Sequence, residues 1–260
     1  MQRSIKSLIG RFAGMTDSYR RRLRSTMLIV AFHRVSNRMP EDGLTCSDVK
    51  FDEFCAFFKK HFRVVSFEDQ VIGRARGDDM GGTLSITFDD GYLDNYEVAA
   101  PILLKHGLPA TFFVTTGFIG SLTVPFWDKD LSPHPGWMTW AHLRSLVSQG
   151  FAIGAHTVSH IDMGTADNET IRSELESSRR TIERELGAVP RLFVYPFGGR
   201  DNITETSIEL VRNAGFVSCA SCHGGTNDPA VDPFHLKRIG IGDWFRTPYQ
   251  FGAEILLGKV

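Results

Sequence analysis

Apolar residues in this chain fall into short dense runs, separated by longer stretches in which they recur every three or four positions. The runs at 27–32, 84–88, 110–115, 151–155, 192–195 and 216–220 read as strands, being short, β-branched or aromatic, and bounded by turn residues. Between them, residues 51–62, 95–106, 140–149, 168–186 and a segment ending at 208–213 carry helical spacing. Thr139 stands where a cap would start the helix from Trp140, Pro101 should kink the stretch 95–106 or mark a boundary in it, and Gly107, Gly150 and Gly187 close their helices. Residues 73–82, rich in Gly and Asp, read as a connection. Residues 117–140 form a longer irregular stretch with Phe118, Phe126, Trp127, Trp137 and Trp140, a set able to stack on a sugar ring or to form a satellite apolar cluster. Strands alternating with helices predict an α/β fold with a parallel sheet or barrel.

Length and composition narrow this picture. With 260 residues, 42% hydrophobic and 23% charged, the chain suits one large domain with a substantial core. A net charge of −1 argues against a nucleic-acid partner. The charge is uneven, however. Arg3, Lys6, Arg11, Arg20, Arg21, Arg22 and Arg24 crowd the first 24 residues, with Ile5, Leu8, Ile9 and Phe12 among them at near-helical spacing. Such a segment suits either a solvated lead-in helix, the simpler reading, or contact with an anionic membrane surface. No stretch has the form of a secretory signal or a membrane span, so a cytoplasmic, optionally membrane-associated protein is expected. The division expected is a basic lead-in over 1–26 and one catalytic domain over 27–260.

Polar clusters recur just after the strands, where (β/α) barrels carry their catalytic groups. Asp89-Asp90-Gly91 ends one apolar run. Paired carboxylates serve acid–base chemistry or metal binding, although the same tripeptide also makes solvated turns. His156 and His160 follow another run, and on a helix they would share a face. With Asp90 they would form a two-histidine, one-carboxylate metal set that leaves a position open. Cys219-Ala-Ser-Cys222-His223 matches a haem-attachment pattern and a Cys-x-x-Cys pair, but it overlaps a strand, there is no second pair, and ordinary free thiols are the simpler reading.

Thr87-Phe88-Asp89-Asp90-Gly91, His156-Thr157-x-x-His160 and Phe193-Val194-Tyr195-Pro196-Phe197-Gly198 occur in this order. Together they resemble the motifs of polysaccharide deacetylases, carbohydrate esterase family 4, related to nodulation-type chitooligosaccharide deacetylases. Shorter matches at 110–114, 139–140, 154–157 and 236–239 extend the resemblance over 27–241. It implies a distorted, TIM-like (β/α) barrel and metal-dependent removal of N-acetyl (or O-acetyl) groups from a glycan or glycan precursor. Asp89 would be the general base, and Asp90, His156 and His160 would hold a divalent metal, zinc first. Tyr195, Pro196 and Phe197 would line the groove, with the Phe197 N–H on the oxyanion. A late histidine would protonate the leaving group. His235 is the first choice, with His33 and His223 as rivals. The arginine that usually orients the base is replaced by Val194, and Arg238, Arg200 or Arg191 would have to substitute. An O-acetyl esterase, a non-sugar amidohydrolase and a silent carbohydrate-binding homologue are the competing readings.

Overall fold

The computed structural model describes residues 2–14, 18–228 and 230–260. Of the expected lead-in, residues 1 and 15–17 and the side chains of Arg3, Ile5 and Arg20 lie outside the described residues. The chain runs α1 (Gln2–Gly14), α2 (Ser18–Arg22), β1 (Leu28–Phe32), β2 (Arg34–Val35), β3 (Thr45–Cys46), α3 (Asp48–His61), β4 (Arg63–Val64), α4 (Phe67–Arg76) and β5 (Thr83–Phe88). It continues with α5 (Ala100–His106), β6 (Thr111–Val114), α6 (Trp140–Ser148), β7 (Ala152–Ala155), α7 (Asn168–Leu186), β8 (Leu192–Val194), α8 (Glu205–Asn213), β9 (Ser218–Ala220), β10 (Ile239–Gly240) and α9 (Pro248–Leu256).

The main sheet is parallel throughout, in the order β10-β1-β5-β6-β7-β8-β9, with β4 also paired to β5. Every residue of β1 and β5 is buried, as expected where helices cover one face and side chains fill the other. The stretch from Leu236 to Gly240 nearly closes the sheet. Leu236 forms a parallel bridge with Ala220 of β9, and β10 then pairs with β1. The result is the distorted (β/α) barrel that the alternation of elements predicts. Its core is rich in phenylalanine, with Phe88 stacked between Phe32 and Phe112 beneath the strand ends that carry the site.

One local expectation is corrected, and for Pro101 the boundary rather than the kink is found. The connection expected over 73–82 is helical as far as Arg76, because Ser66 caps α4 and Gly77 ends it in the left-handed conformation. Gly73 lies inside that helix, where an added Cβ would meet the flexible end of the Met80 side chain. The stretch 95–106 is a π-helical turn (Asn95–Ala99) leading into α5, with Pro101 in the first turn where its missing N–H costs nothing.

Candidate active site

A groove of about 630 Å³ opens over the C-terminal ends of the strands. His33, Asp89, Asp90, His156, His160, Tyr195 and Phe197 reach it from four different strand ends, alongside Phe126, Trp127, Cys222, His223 and Trp244.

The turn after β5 separates the two carboxylates. Asp90 has φ 72° and Gly91 φ 97°, and the Gly91 N–H donates to the Asp89 carbonyl at 2.9 Å. A left-handed aspartate followed by glycine reverses the chain within one residue, so that both side chains reach the same groove. At Gly91 an added Cβ would lie 2.8 Å from Ile119, so even an asparagine would fit poorly.

Asp89 is clamped by Arg238. Both guanidinium nitrogens donate to its carboxylate at 2.7 Å, one to each oxygen, and Arg238 also donates to Thr87 Oγ1 and to the Ser221 carbonyl. Burial opposes ionisation of Asp89, but the Arg238 charge and hydrogen bonds outweigh it and hold the carboxyl below its usual range. His33 Nε2 lies 3.9 Å from Asp89 Oδ2. Its pKa is lowered, first by burial, against the pull of Asp90 and Asp89. Asn95 donates to the His33 carbonyl at 2.6 Å and fixes that residue at the end of β1.

Asp90, His156 and His160 form the second cluster. Asp90 Oδ1 is 3.4 Å from Nε2 of each histidine, beyond good hydrogen-bond length, and is otherwise buried without a partner among the described residues. One donor atom from each of the three lies within 4.8 Å of the others. His156 Nδ1 pairs with the Val194 carbonyl at 2.8 Å. That contact requires the proton on Nδ1 and leaves the Nε2 lone pair facing Asp90, the arrangement a metal ligand needs. Burial lowers His160 to about 4, so its imidazole is neutral at neutral pH. An orphaned carboxylate oxygen beside two imidazole nitrogens fits a divalent cation.

The histidine pair does not lie on a helix. Thr157 (φ 66°) and His160 (φ 56°) are left-handed, and the segment is a loop. It is held by Glu174, whose carboxylate accepts from the Val158 and Ser159 N–H groups and from the Ser159 hydroxyl, and by Thr157 Oγ1, which accepts from the His160 N–H. The convergence that a helical spacing suggested is thus achieved by a turn.

The remaining expected residues divide. Tyr195 lines the groove, and its hydroxyl accepts from Cys219 Sγ at 3.0 Å. Pro196 is buried behind Phe197, which is 44% exposed and has φ 60°. His235 is not brought to the groove. It sits on the surface, 3.6 Å from Asp232 and 3.9 Å from Glu205, because the 232–235 turn points away from the strand ends. The other two expected acids, His33 and His223, both line the groove. Among the arginines, Arg191 pairs with Glu68 and Arg200 is exposed, so neither meets Asp89. Cys219 and Cys222 are free thiols, and burial raises both pKa values.

Of the irregular stretch, Trp127 reaches the site, while Phe118 and Trp137 stack with Tyr92 in a satellite cluster. Trp127 and Phe197 flank the His160 ring, each 4.6 Å from it between centroids. A buried chain of polar groups holds Trp127. Its Nε1 donates to the Tyr92 hydroxyl at 2.9 Å, Tyr92 donates to Asp128 at 2.7 Å, and Asp128 pairs with Arg34. Arg34 also grips Asp42 and Thr45. Trp127 apart, the members of this network carry no periodic or motif signal, because they are brought together from residues 34, 42, 45, 92 and 128.

Residues 76–218, more than half of the chain, match the family described as Polysaccharide deacetylase. YxkH of Bacillus subtilis, provisionally named a polysaccharide deacetylase, is 26% identical over 172 residues, which cover 65% of this chain and about half (55%) of YxkH. The poly-β-1,6-N-acetyl-D-glucosamine N-deacetylase of Staphylococcus aureus is 22% identical over 207 residues, covering 76% of this chain and 68% of that protein. The fold is shared with the Streptococcus pyogenes deacetylase PplD (TM-score 0.73, 20% identity, 87% of this chain and 96% of that one). It is shared equally with IcaB from Ammonifex degensii (TM-score 0.71, 23% identity, 89% and 97%). The matched residues carry the turn after β5, the histidine loop after β7 and the groove wall after β8, and on that ground the chain belongs to the polysaccharide deacetylase family.

Proposed function

We propose that this protein removes N-acetyl groups from a glycan by hydrolysis, with Asp89 as general base and a divalent cation held by Asp90, His156 and His160. The observation that carries the reading is the pairing of an arginine-clamped carboxylate with an orphaned Asp-His-His cluster on adjacent walls of one groove.

Arg238 keeps Asp89 ionised and fixes the direction of its oxygens, which is what a base needs to take a proton from an attacking water. A carboxylate held below its usual range is a weak base towards ordinary water, so it requires acidified water, the chemistry a divalent cation would supply when bound. The Phe197 N–H, on the facing wall, is assigned to the oxyanion that forms on the acetyl carbonyl. The proton that Asp89 takes from water passes through His33, 3.9 Å away, to the departing nitrogen as the C–N bond breaks. The lowered pKa of His33 makes it a strong acid once charged. Trp127, Phe126, Phe197 and Trp244 offer aromatic faces along the groove to sugar rings.

The name of the Staphylococcus aureus relative makes an oligomer of β-1,6-linked N-acetylglucosamine the first substrate to test. The experiment is acetate release by the purified protein, with and without chelator, from that oligomer, from other N-acetylated and O-acetylated glycans, and from acetylated sugar nucleotides. Chelator-sensitive release from an N-acetylated glycan supports the reading. Release only from O-acetyl esters makes the protein an esterase, and binding without release makes it a silent carbohydrate-binding homologue.

A further inference from the structure

Helix α1 packs with its small residues inward and its large apolar residues outward. Gly10 is buried against α9, where an added Cβ would lie 1.8 Å from the Tyr249 carbonyl oxygen. At Gly14 an added Cβ would lie 3.2–3.3 Å from the rings of His61 and Tyr249. Ser7 Oγ bonds Thr247 Oγ1 at 2.9 Å, Lys6 donates to Glu254 at 2.9 Å, and the Tyr19 hydroxyl donates to the Gly10 carbonyl at 2.7 Å. Residues 7, 10 and 14 thus form a close seam on α9. The opposite face presents Leu8 (57% exposed), Ile9 (43%) and Phe12 (64%) to water, one helical turn apart. A surface helix normally buries such a stripe and exposes its small and polar side.

Charge says what covers this face. The first 24 residues hold seven Arg and Lys against one Asp, in a chain whose net charge is −1. Arg11, Arg21 and Arg24 are exposed on α1, α2 and the turn that follows. No helix among the described residues is long and apolar enough to cross a membrane. An apolar stripe on a short helix, in a segment rich in exposed arginines, matches the headgroup layer of an anionic bilayer, although Arg11 itself rests over the Tyr249 ring. We propose that α1 is an in-plane membrane anchor, with Leu8, Ile9 and Phe12 entering the acyl boundary and the nearby arginines facing lipid phosphates. This does not depend on the catalytic reading.

The test is co-sedimentation of the full chain with phosphatidylcholine vesicles, with and without phosphatidylglycerol, at low and high salt. The protein should sediment with the anionic vesicles, weakly or not at all with the neutral ones, and less as salt rises. Leu8→Ser/Ile9→Ser/Phe12→Ser should lower that binding at least about tenfold while the circular dichroism melt stays unchanged. Arg21→Glu/Arg24→Glu should lower it by a similar factor. Absence of wild-type binding to anionic vesicles overturns the proposal, as does undiminished binding by the triple serine variant. Equal binding by the charge-reversed variant overturns the role of anionic lipid. If light scattering shows a wild-type dimer that the serine variant dissolves, and vesicles bind neither, the face is a self-interface and the proposal fails.

Discussion

Two carboxylates joined by one peptide bond sit in contrasting surroundings. On one side Asp89 meets a guanidinium fork from the other end of the chain, and on the other Asp90 meets two imidazoles. Burial acts against ionisation of both. Asp89 has a permanent cation to oppose it. Asp90 has imidazoles instead: burial pushes its carboxyl up, and the His156 and His160 rings outweigh that and hold it well below the usual carboxylate range. The difference assigns work. On the proposed reading the Asp89 corner, closed by a guanidinium, takes the proton, and the Asp90 corner, an orphaned carboxylate oxygen beside two imidazoles, holds the cation.

Removing the Asp90 corner has the largest expected effect. Asp90→Asn should abolish metal retention by elemental analysis and lower acetate release by at least about 10³-fold, as several kcal/mol of charge stabilisation is lost. Arg238→Ala strikes the Asp89 corner and leaves a buried carboxylate unpaired. Denaturant unfolding should show a loss of about 3–5 kcal/mol. Arg238→Lys keeps the charge without the fork, so it should recover stability before it recovers turnover.

A third carboxylate sharpens the contrast. Asp94 is buried and has no ion pair among the described residues, and burial raises it to about 7 against hydrogen bonds from Val35 and Asn95 and the more distant Arg34 charge. Between its unfolded value of 3.8 and about 7 the folded state binds a proton that the unfolded state does not, so stability is lost as pH rises through that window. Asp94→Asn should match the wild type in thermal melts near pH 4 and exceed it above pH 7, by up to roughly 4 kcal/mol. A constant difference across pH would refute the assignment. The smallest effect concerns the groove wall. Tyr92→Phe removes the link between Trp127 and Asp128. It should cost about 1–3 kcal/mol, change tryptophan fluorescence, and raise KM more than it lowers kcat.

How much of this was legible in the sequence follows from how far each contact reaches. Strands and helices with their own periodicity and caps were readable, α7 to the residue, because their signals are local. The members of the Asp90 cluster were readable for the same reason, since each follows an apolar run. The route by which His156 and His160 converge was not, because it depends on two left-handed residues and on Glu174 from α7. The sequence left three candidate arginines for Asp89, and only barrel closure through β10 brings Arg238 to the end of β5. His33 and Arg238 both lie outside the matched residues 76–218. His235 looked the better acid by its late position, but the turn at Asp232 faces it outward.

The division between the two carboxylates is tested most directly by metal content and acetate release measured on one preparation of Asp89→Asn. The account predicts about one metal ion per chain, as in the wild type, with acetate release lowered on the order of 10²–10⁴-fold. Loss of the metal, or turnover at the wild-type rate, would contradict it.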